Sequence, residues 1–250
     1  MSRYFDLVQQ SGIGEVAFAG KERTHVSANG KAAQTELGDY RSRSASFSGQ
    51  ALDLVQRIFL VPAENAPRVV LFAPVNAQRS GYGFCLSIAE TLVQVSRRKV
   101  CLVEANFRES ETYGISTAPY RHGLADALAG EEPISIFFQP MAKENLSLLP
   151  SGTLDANSPS LITPDAVKSR FIELRASFDF VIVHAAPLAL YAETIILSRV
   201  ADGVALLLQT GSTRREDASA AVANLRALNI PVVAAVLDGA TSPSLKKFLR

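Results

Sequence analysis

The sequence predicts an α/β fold, a doubly wound and mostly parallel sheet with helices on both faces, and three observations predict it. Beyond Pro67, short apolar runs alternate steadily with helical stretches. Phe180-Val181-Ile182-Val183 and Val204-Ala205-Leu206-Leu207-Leu208 are apolar at every position, as strands buried on both faces are. The helical stretches between strands run to about 10–15 residues, the length that carries a chain back over a sheet to start the next parallel strand by a right-handed crossover.

Taken in order, residues 1–14 read as a short helix, because Tyr4, Phe5, Leu7, Val8 and Ile13 gather loosely on one side. Residues 20–50 turn to Ser, Ala, Gly, Gln and mixed charges with few large apolar side chains, the composition of a flexible linker. Order resumes with a helix over 51–60, which ends before Pro62. Strands are expected at 69–73, 99–103, 145–149, 179–183, 203–208 and 231–236, and helices at 83–96, 121–129, 164–176, 189–200 and 214–227. This divides the chain into an N-terminal segment, 1–50, and an α/β domain, 51–250. In such a sheet ligands bind beyond the carboxyl ends of the strands, here Ala73 onward, Glu104 onward and His184 onward.

With 250 residues, 48% hydrophobic and 20% charged, the chain can bury one sizeable core. A net charge of +1 and a pI near 7.8 argue against nucleic acid as a partner, which needs a clustered basic face. Arg97-Arg98-Lys99 reads instead as a helix C-terminus complementing its dipole. Cys85 and Cys101 have neither CxxC spacing nor histidines nearby, so they read as reduced core residues rather than a metal site or a disulfide. The N-terminus lacks the basic-then-apolar pattern of a secretory signal, and no apolar run approaches the roughly 18 residues of a membrane span. A soluble, cytoplasmic protein is expected, reaching the inner face of a membrane only through a partner.

The chemistry lies at the first strand. Val69-Val70-Leu71-Phe72-Ala73, the loop from Pro74 to Gly83 and the following helix form a strand, small-residue loop and helix, the arrangement that turns loop amides and a helix N-terminus toward a phosphate. The lysine such a cradle uses is missing: GxxxxGK[ST] occurs nowhere, and no Lys lies between Lys31 and Lys99.

Several segments carry a resemblance. Gly123-Leu124-Ala125-Asp126-Ala127-Leu128-Ala129-Gly130 is similar to a GLSDVLAG segment, and Leu148-Leu149-Pro150-Ser151-Gly152 to an LPAG strand end. Asn157-Ser158-Pro159-Ser160-Leu161-Ile162 is similar to NPxELL, and Ser198-Arg199-Val200-Ala201-Asp202-Gly203-Val204 with Thr213-Arg214-Arg215-Glu216 to ARLADGVLLVVRAGxTRRE. In this order and spacing, over roughly 50–238, the chain resembles the bacterial tyrosine kinases and ATPases of capsular and exopolysaccharide synthesis, relatives of the partitioning ATPases with a deviant Walker A loop. The resemblance implies a P-loop NTPase-like fold, an ATP and Mg²⁺ site, and work beside a membrane-embedded polysaccharide chain-length or export protein.

The departures fall at the nucleotide site. Where the family has PGEGKST, this chain reads Ala77-Gln78-Arg79-Ser80-Gly81-Tyr82-Gly83, with Gly81 near the lysine and Tyr82 near the Mg²⁺-binding serine. DADLRRP becomes Glu104-Ala105-Asn106-Phe107-Arg108-Glu109-Ser110, and VIIDTPP becomes Val181-Ile182-Val183-His184-Ala185-Ala186-Pro187, so the Walker B aspartate is His184. Positions aligned with a ring-forming ExxRxxR pattern are Gln50, Asp53 and Gln56, and the tyrosine-rich tail is absent from the C-terminal sequence. Phosphoryl transfer is accelerated by positioning and electrostatics around the phosphates, and imidazole is a poor ligand for Mg²⁺.

The expectation is therefore a non-catalytic, pseudokinase-like member with no catalytic residues, no cofactor and no metal site, binding a membrane export or chain-length protein and open to homo-oligomerisation. The alternative is an active tyrosine kinase or ATPase holding ATP and Mg²⁺ through Arg79, Ser80, Gly81, Tyr82, Gly83, Glu104, Asn106 and His184. A partitioning-type protein that dimerises on nucleotide is a further reading, disfavoured by the missing lysine and basic patch. Residue by residue, Arg79 reads as a solvated loop residue, Glu104 as a helix cap or partner of Arg108, His184 as a packed, hydrogen-bonded residue and Tyr82 as a ring filling the cradle.

Overall fold

The computed structural model describes residues 16–18, 49–61, 66–76, 81–107, 122–152 and 162–238. The elements are β1 (Val16–Phe18), α1 (residues 49–58), β2 (Val69–Pro74), α2 (Tyr82–Ser96), β3 (Val100–Ala105), α3 (Leu124–Ala129), a 3₁₀ turn (Ile134–Phe137), β4 (Gln139–Pro140) and β5 (Leu146–Leu149), then α4 (Pro164–Ser177), β6 (Phe180–Ala185), α5 (Ala192–Ser198), β7 (Gly203–Gln209), α6 (Arg215–Ala227) and β8 (Val232–Asp238). Eight strands form one sheet in the order β1-β8-β7-β2-β6-β3-β5-β4. Every pair is parallel except β4 with β5. The fold is the P-loop NTPase-like doubly wound sheet expected.

Strand side chains alternate between two cores because successive residues point to opposite faces. Val69, Leu71 and Ala73 of β2 join Val103, Val183 and Leu206 under α3, α4, α5 and α6, through Leu128, Phe171, Leu197 and Leu225. Val70 and Phe72 join Leu102, Ile182 and Ala205 under α1 and α2, through Leu54, Ile58, Ile88 and Leu92. On α1 the buried Ala51, Leu54, Val55, Ile58 and Phe59 repeat at helical spacing. The Asp53 and Gln56 positions of the altered ring-contact pattern are exposed on its other side.

Each expected strand from 69 onward is present with ends shifted by no more than a few residues, and three features were not expected. Val16–Phe18, inside the segment read as separate from the domain, pairs in parallel with β8 through Val16↔Ala235 to Phe18↔Leu237. Gln139–Pro140 adds an antiparallel edge, where a proline is tolerated because the outer side needs no N–H donor. Gly49 and Gln50 open α1 rather than closing a linker. The helix read at 1–14 and the linker at 20–48 lie outside the described residues.

The segments that carried the resemblance hold the scaffold together. Asp126 Oδ2 accepts from Gly123 N at 2.8 Å, while Leu124 N and Ala125 N donate to Pro150 O and Ser151 O at 2.8 and 2.9 Å, docking the GLADALAG turn onto the LLPSG strand end. A Cβ at Gly123 would fall on the Pro150 carbonyl. Asp202 Oδ2 accepts from the Arg68 and Val69 amides, each at 2.8 Å, and its two oxygens take Arg175 at 2.8 and 3.0 Å. Burial pushes the Asp202 carboxyl up, but Arg175 and the two amides outweigh it and hold the group below the usual carboxylate range.

Candidate nucleotide-cradle site

The site stands where β2, β6 and β3 end side by side. Val75 extends β2 by donating to Leu207 O at 3.2 Å. Thr213 Oγ1 accepts from Gln209 N at 2.9 Å and reaches Asn76 Oδ1 at 3.5 Å. These contacts tie the exit of β2 to the loop before α6. Ala77, Gln78, Arg79 and Ser80 lie outside the described residues. The chain is described again at Gly81, which opens α2 and accepts from Cys85 N at 3.0 Å. A Cβ on Gly81 would overlap the Leu207 side chain; helix and strand come so close there that only glycine leaves Leu207 undisturbed.

Tyr82, at the position of the family's hydroxyl residue, is 5% exposed. Its ring sits edge-on to that of His184, centroids 5.9 Å apart and planes at 77°. The expected filling of the cradle by this side chain is therefore a packing of Tyr82 on His184. Gly83 follows in the first turn of α2, half-buried.

His184 is paired in register with Phe72 on β2 and Glu104 on β3. Phe180 and Ile182 point into the α2-side core, so strand alternation turns His184 to the same side, and Val100 and Leu102 do the same for Glu104. The two meet, with His184 Nδ1 2.8 Å from Glu104 Oε1 and side chains only 1% and 14% exposed. Against an ionised carboxylate Nδ1–H is the donor, and Nε2 lies on the opposite edge of the ring. Nε2 is buried and has no hydrogen-bond partner among the described residues. Glu104 faces inward beneath α2 and pairs with His184, a partner the sequence did not suggest; Arg108, its expected partner, lies outside the described residues.

Asn106, two residues past Glu104, is buried at 2% exposure. Cys85 is fully buried, and its thiol is pushed well up by burial first and by the charge of Glu104 second, so it carries no thiolate for nucleophilic work. Of the eight residues named from sequence, the structure brings Gly81, Tyr82, Glu104 and His184 together, sets Gly83 and Asn106 beside them in the chain, and leaves Arg79 and Ser80 undescribed. Sequence reasoning missed the His184–Glu104 pairing and the contact of Leu207 with the helix start. Both were signalled by parity, since each residue sits an even number of steps from an apolar neighbour on the α2-facing side of its strand.

A mostly parallel sheet in which β2 leads, through a stretch rich in small residues, into α2 is the P-loop NTPase-like fold. The chain matches no protein-family model. Its homologues are bacterial tyrosine-protein kinases. It is 27% identical to tyrosine-protein kinase YwqD of Bacillus subtilis over 142 residues, 57% of this chain and 60% of that protein. It is 22% identical to tyrosine-protein kinase etk of Escherichia coli over 160 residues, 64% of this chain and 22% of that protein. The chain thus spans under two thirds of each.

Among solved structures, the chimerical protein CapA2B2 superposes with a TM-score of 0.77 at 17% identity, covering 95% of this chain and 99% of that one. The kinase domain of Escherichia coli ETK superposes with 0.69 at 18%, covering 95% and 96%. At these identities the superpositions establish the fold.

Proposed function

We propose that the chain is a non-catalytic, pseudokinase-like cytoplasmic component of bacterial exopolysaccharide, capsule or adhesive-polysaccharide synthesis and export, recruited to the inner face of the membrane by a chain-length or export protein. Residues 51–250 act as the binding domain, with Val16–Phe18 added at the sheet edge. The observation that carries the reading is the buried His184–Glu104 pair. A metal-assisted site would present carboxylate oxygen toward Mg²⁺ at the end of β6; here that position is an imidazole whose Nδ1 is committed to Glu104. Mg²⁺ selects oxygen ligands and keeps its waters, so the residues present do not fit Mg-ATP. Tyr82 turned onto His184 and the absence of a lysine from the 77–83 sequence point the same way, since a triphosphate lacks its counter-charge there.

Homology to tyrosine-protein kinases supports the polysaccharide setting through the family resemblance. No helix among the described residues is long and apolar enough to cross a membrane, and recruitment by a partner is compatible with that. The test is a thermal shift with and without Mg-ATP, followed by a phosphate-release assay and co-purification from membranes. Folded-state binding raises Tm by mass action. The reading expects no Mg-ATP shift, no turnover, and recovery of a membrane-embedded polysaccharide export component; a Mg-dependent rise in Tm with hydrolysis overturns it.

A further inference from the structure

Among the described residues the sheet ends in two very short strands. At one side β4, Gln139–Pro140, lies outside β5, and its proline removes a donor from that edge. At the other, β1 lies outside β8 and spans only Val16–Phe18. Short edge strands keep a sheet from pairing with another chain, because they present few free N–H and C=O groups. The strand behind β1 is different in kind. β8 runs for seven residues, Val232-Val233-Ala234-Ala235-Val236-Leu237-Asp238, apolar at every position but the last. It does not depend on β1 for its place: it pairs with β7 from Val204 to Gln209, and Ala234, Ala235, Val236 and Leu237 are buried in the two cores. β1 is held by much less. It pairs over three residues, Val16↔Ala235 to Phe18↔Leu237, in the parallel mode that is slightly the weaker per residue. Residues 19–48 separate it from α1, so its docking also has the closure of a long connection to offset. Such a strand opens locally while the rest of the sheet stays folded.

We propose that Val16–Phe18 is a releasable guard strand, and that lifting it lets β8 of one copy pair antiparallel, edge to edge, with β8 of a second copy. The run is self-complementary. A two-fold axis through Ala235 sets Val232 of one copy opposite Asp238 of the other, so the two Asp238 positions fall at opposite ends of the new ladder and no like charges face each other across it. The contact gives β8 partners along its whole length, where β1 supplies three. With β1 docked the same edge is taken, and the chain stays a monomer. The position of the N-terminal strand then sets the oligomeric state. None of this depends on the chemistry at the end of β6.

The test uses the full chain and a full-chain variant, Val16→Pro with Ala17→Pro. Neighbouring residues of a strand turn their N–H groups to opposite sides, so one of the two prolines removes a donor aimed at β8. Sedimentation velocity is expected to show the wild-type chain as a 26.8 kDa monomer up to about 100 μM, and the variant as a concentration-dependent dimer with a dissociation constant at least roughly tenfold lower. Hydrogen exchange locates the contact: the outward amides of Val232–Leu237 gain protection in the dimer. A variant as monomeric as the wild type, a wild-type chain that dimerises equally well, or a dimer without that protection overturns the proposal. Should the variant fold poorly by circular dichroism, exchange on the wild-type chain decides. There the amides of Val16–Phe18 are expected to exchange at least roughly tenfold faster than those of β2 and β6, and equal protection overturns the release on which the guard depends.

Discussion

Restoring the family's acid, His184→Asp, tests the centre of the argument. The substitution removes the donor that Glu104 accepts at 2.8 Å and sets a second carboxylate beside it, in a place where the two side chains are now 1% and 14% exposed. Truncating one partner of a buried charge pair costs about 3–5 kcal/mol. Two ionised carboxylates about 5 Å apart repel by about 3 kcal/mol at an effective dielectric near 20, so the variant escapes part of that by holding a proton on one of them. The net loss expected near neutral pH is about 3–5 kcal/mol, or a fall in Tm of roughly 6–20 °C for a domain of this size.

The retained proton fixes the sign of the pH response. A carboxyl whose folded-state pKa is raised contributes stability at low pH and loses it as pH rises through the folded value, so the deficit against the wild-type chain widens from about pH 5 to about pH 8. Urea denaturation followed by circular dichroism at both pH values measures it, and His184→Asn, which cannot ionise, separates the lost donor from the repulsion. On the proposed non-catalytic reading, Mg²⁺ is expected to leave the deficit in place. A loss below about 1 kcal/mol at the higher pH would refute the buried coupling, and recovery of most of the loss by Mg²⁺ would refute the claim that the metal site is gone.

Asp202→Asn is expected to lower Tm by only roughly 2–4 °C, because solvent screening at this partly exposed group holds its contribution to about 1 kcal/mol. Its carboxyl is held below the usual range, so that contribution is present above the ordinary aspartate pKa and is lost as pH falls through the folded value; acid titration of the variant, followed by fluorescence or circular dichroism, is expected to show a shallower decline below about pH 4. Gly81→Ala drives a methyl into Leu207 and is expected to cost about 1–3 kcal/mol. Combining it with Leu207→Ala in a double-mutant cycle is expected to reveal a coupling of at least about 0.5 kcal/mol. Cys85 and Cys101, both fully buried with thiols pushed up by burial, are expected to resist a thiol reagent in the native chain and to react together on unfolding, read by absorbance.

The parallel sheet was legible because strands buried on both faces write themselves as continuous apolar runs, and Val204 to Leu208 is buried throughout. Val16–Phe18 was not, since three residues are too few to carry a periodicity and the strand exists by pairing to β8. At the cradle the sequence named the residues that stand there and the family residues they differ from. How they pair was not legible: Glu104 and His184 are 80 positions apart, and their contact depends on β3 and β6 being adjacent in the sheet, a property of strand order rather than of either segment. Asp202 was recognised as part of an ADGV run, but its grip on the start of β2 and on Arg175 appears only when three elements converge.

The division between what resembles the kinases and what departs from them follows a physical line. The retained Gly123, Asp126, Pro150 and Asp202 are spent on hydrogen bonds between elements, and losing any one would open a turn or a strand end. The altered positions are those whose chemistry would be addressed to a phosphate or a metal, and their replacements turn inward instead: Tyr82 onto His184, and His184 onto Glu104. Without the imidazole, the Glu104 carboxylate would stand half-enclosed at the sheet's end with no donor on β6, at a cost of about 1–3 kcal/mol for a buried group left without a partner. The imidazole offsets part of that cost by donating to Glu104, while its Nε2 stays buried without a hydrogen-bond partner among the described residues.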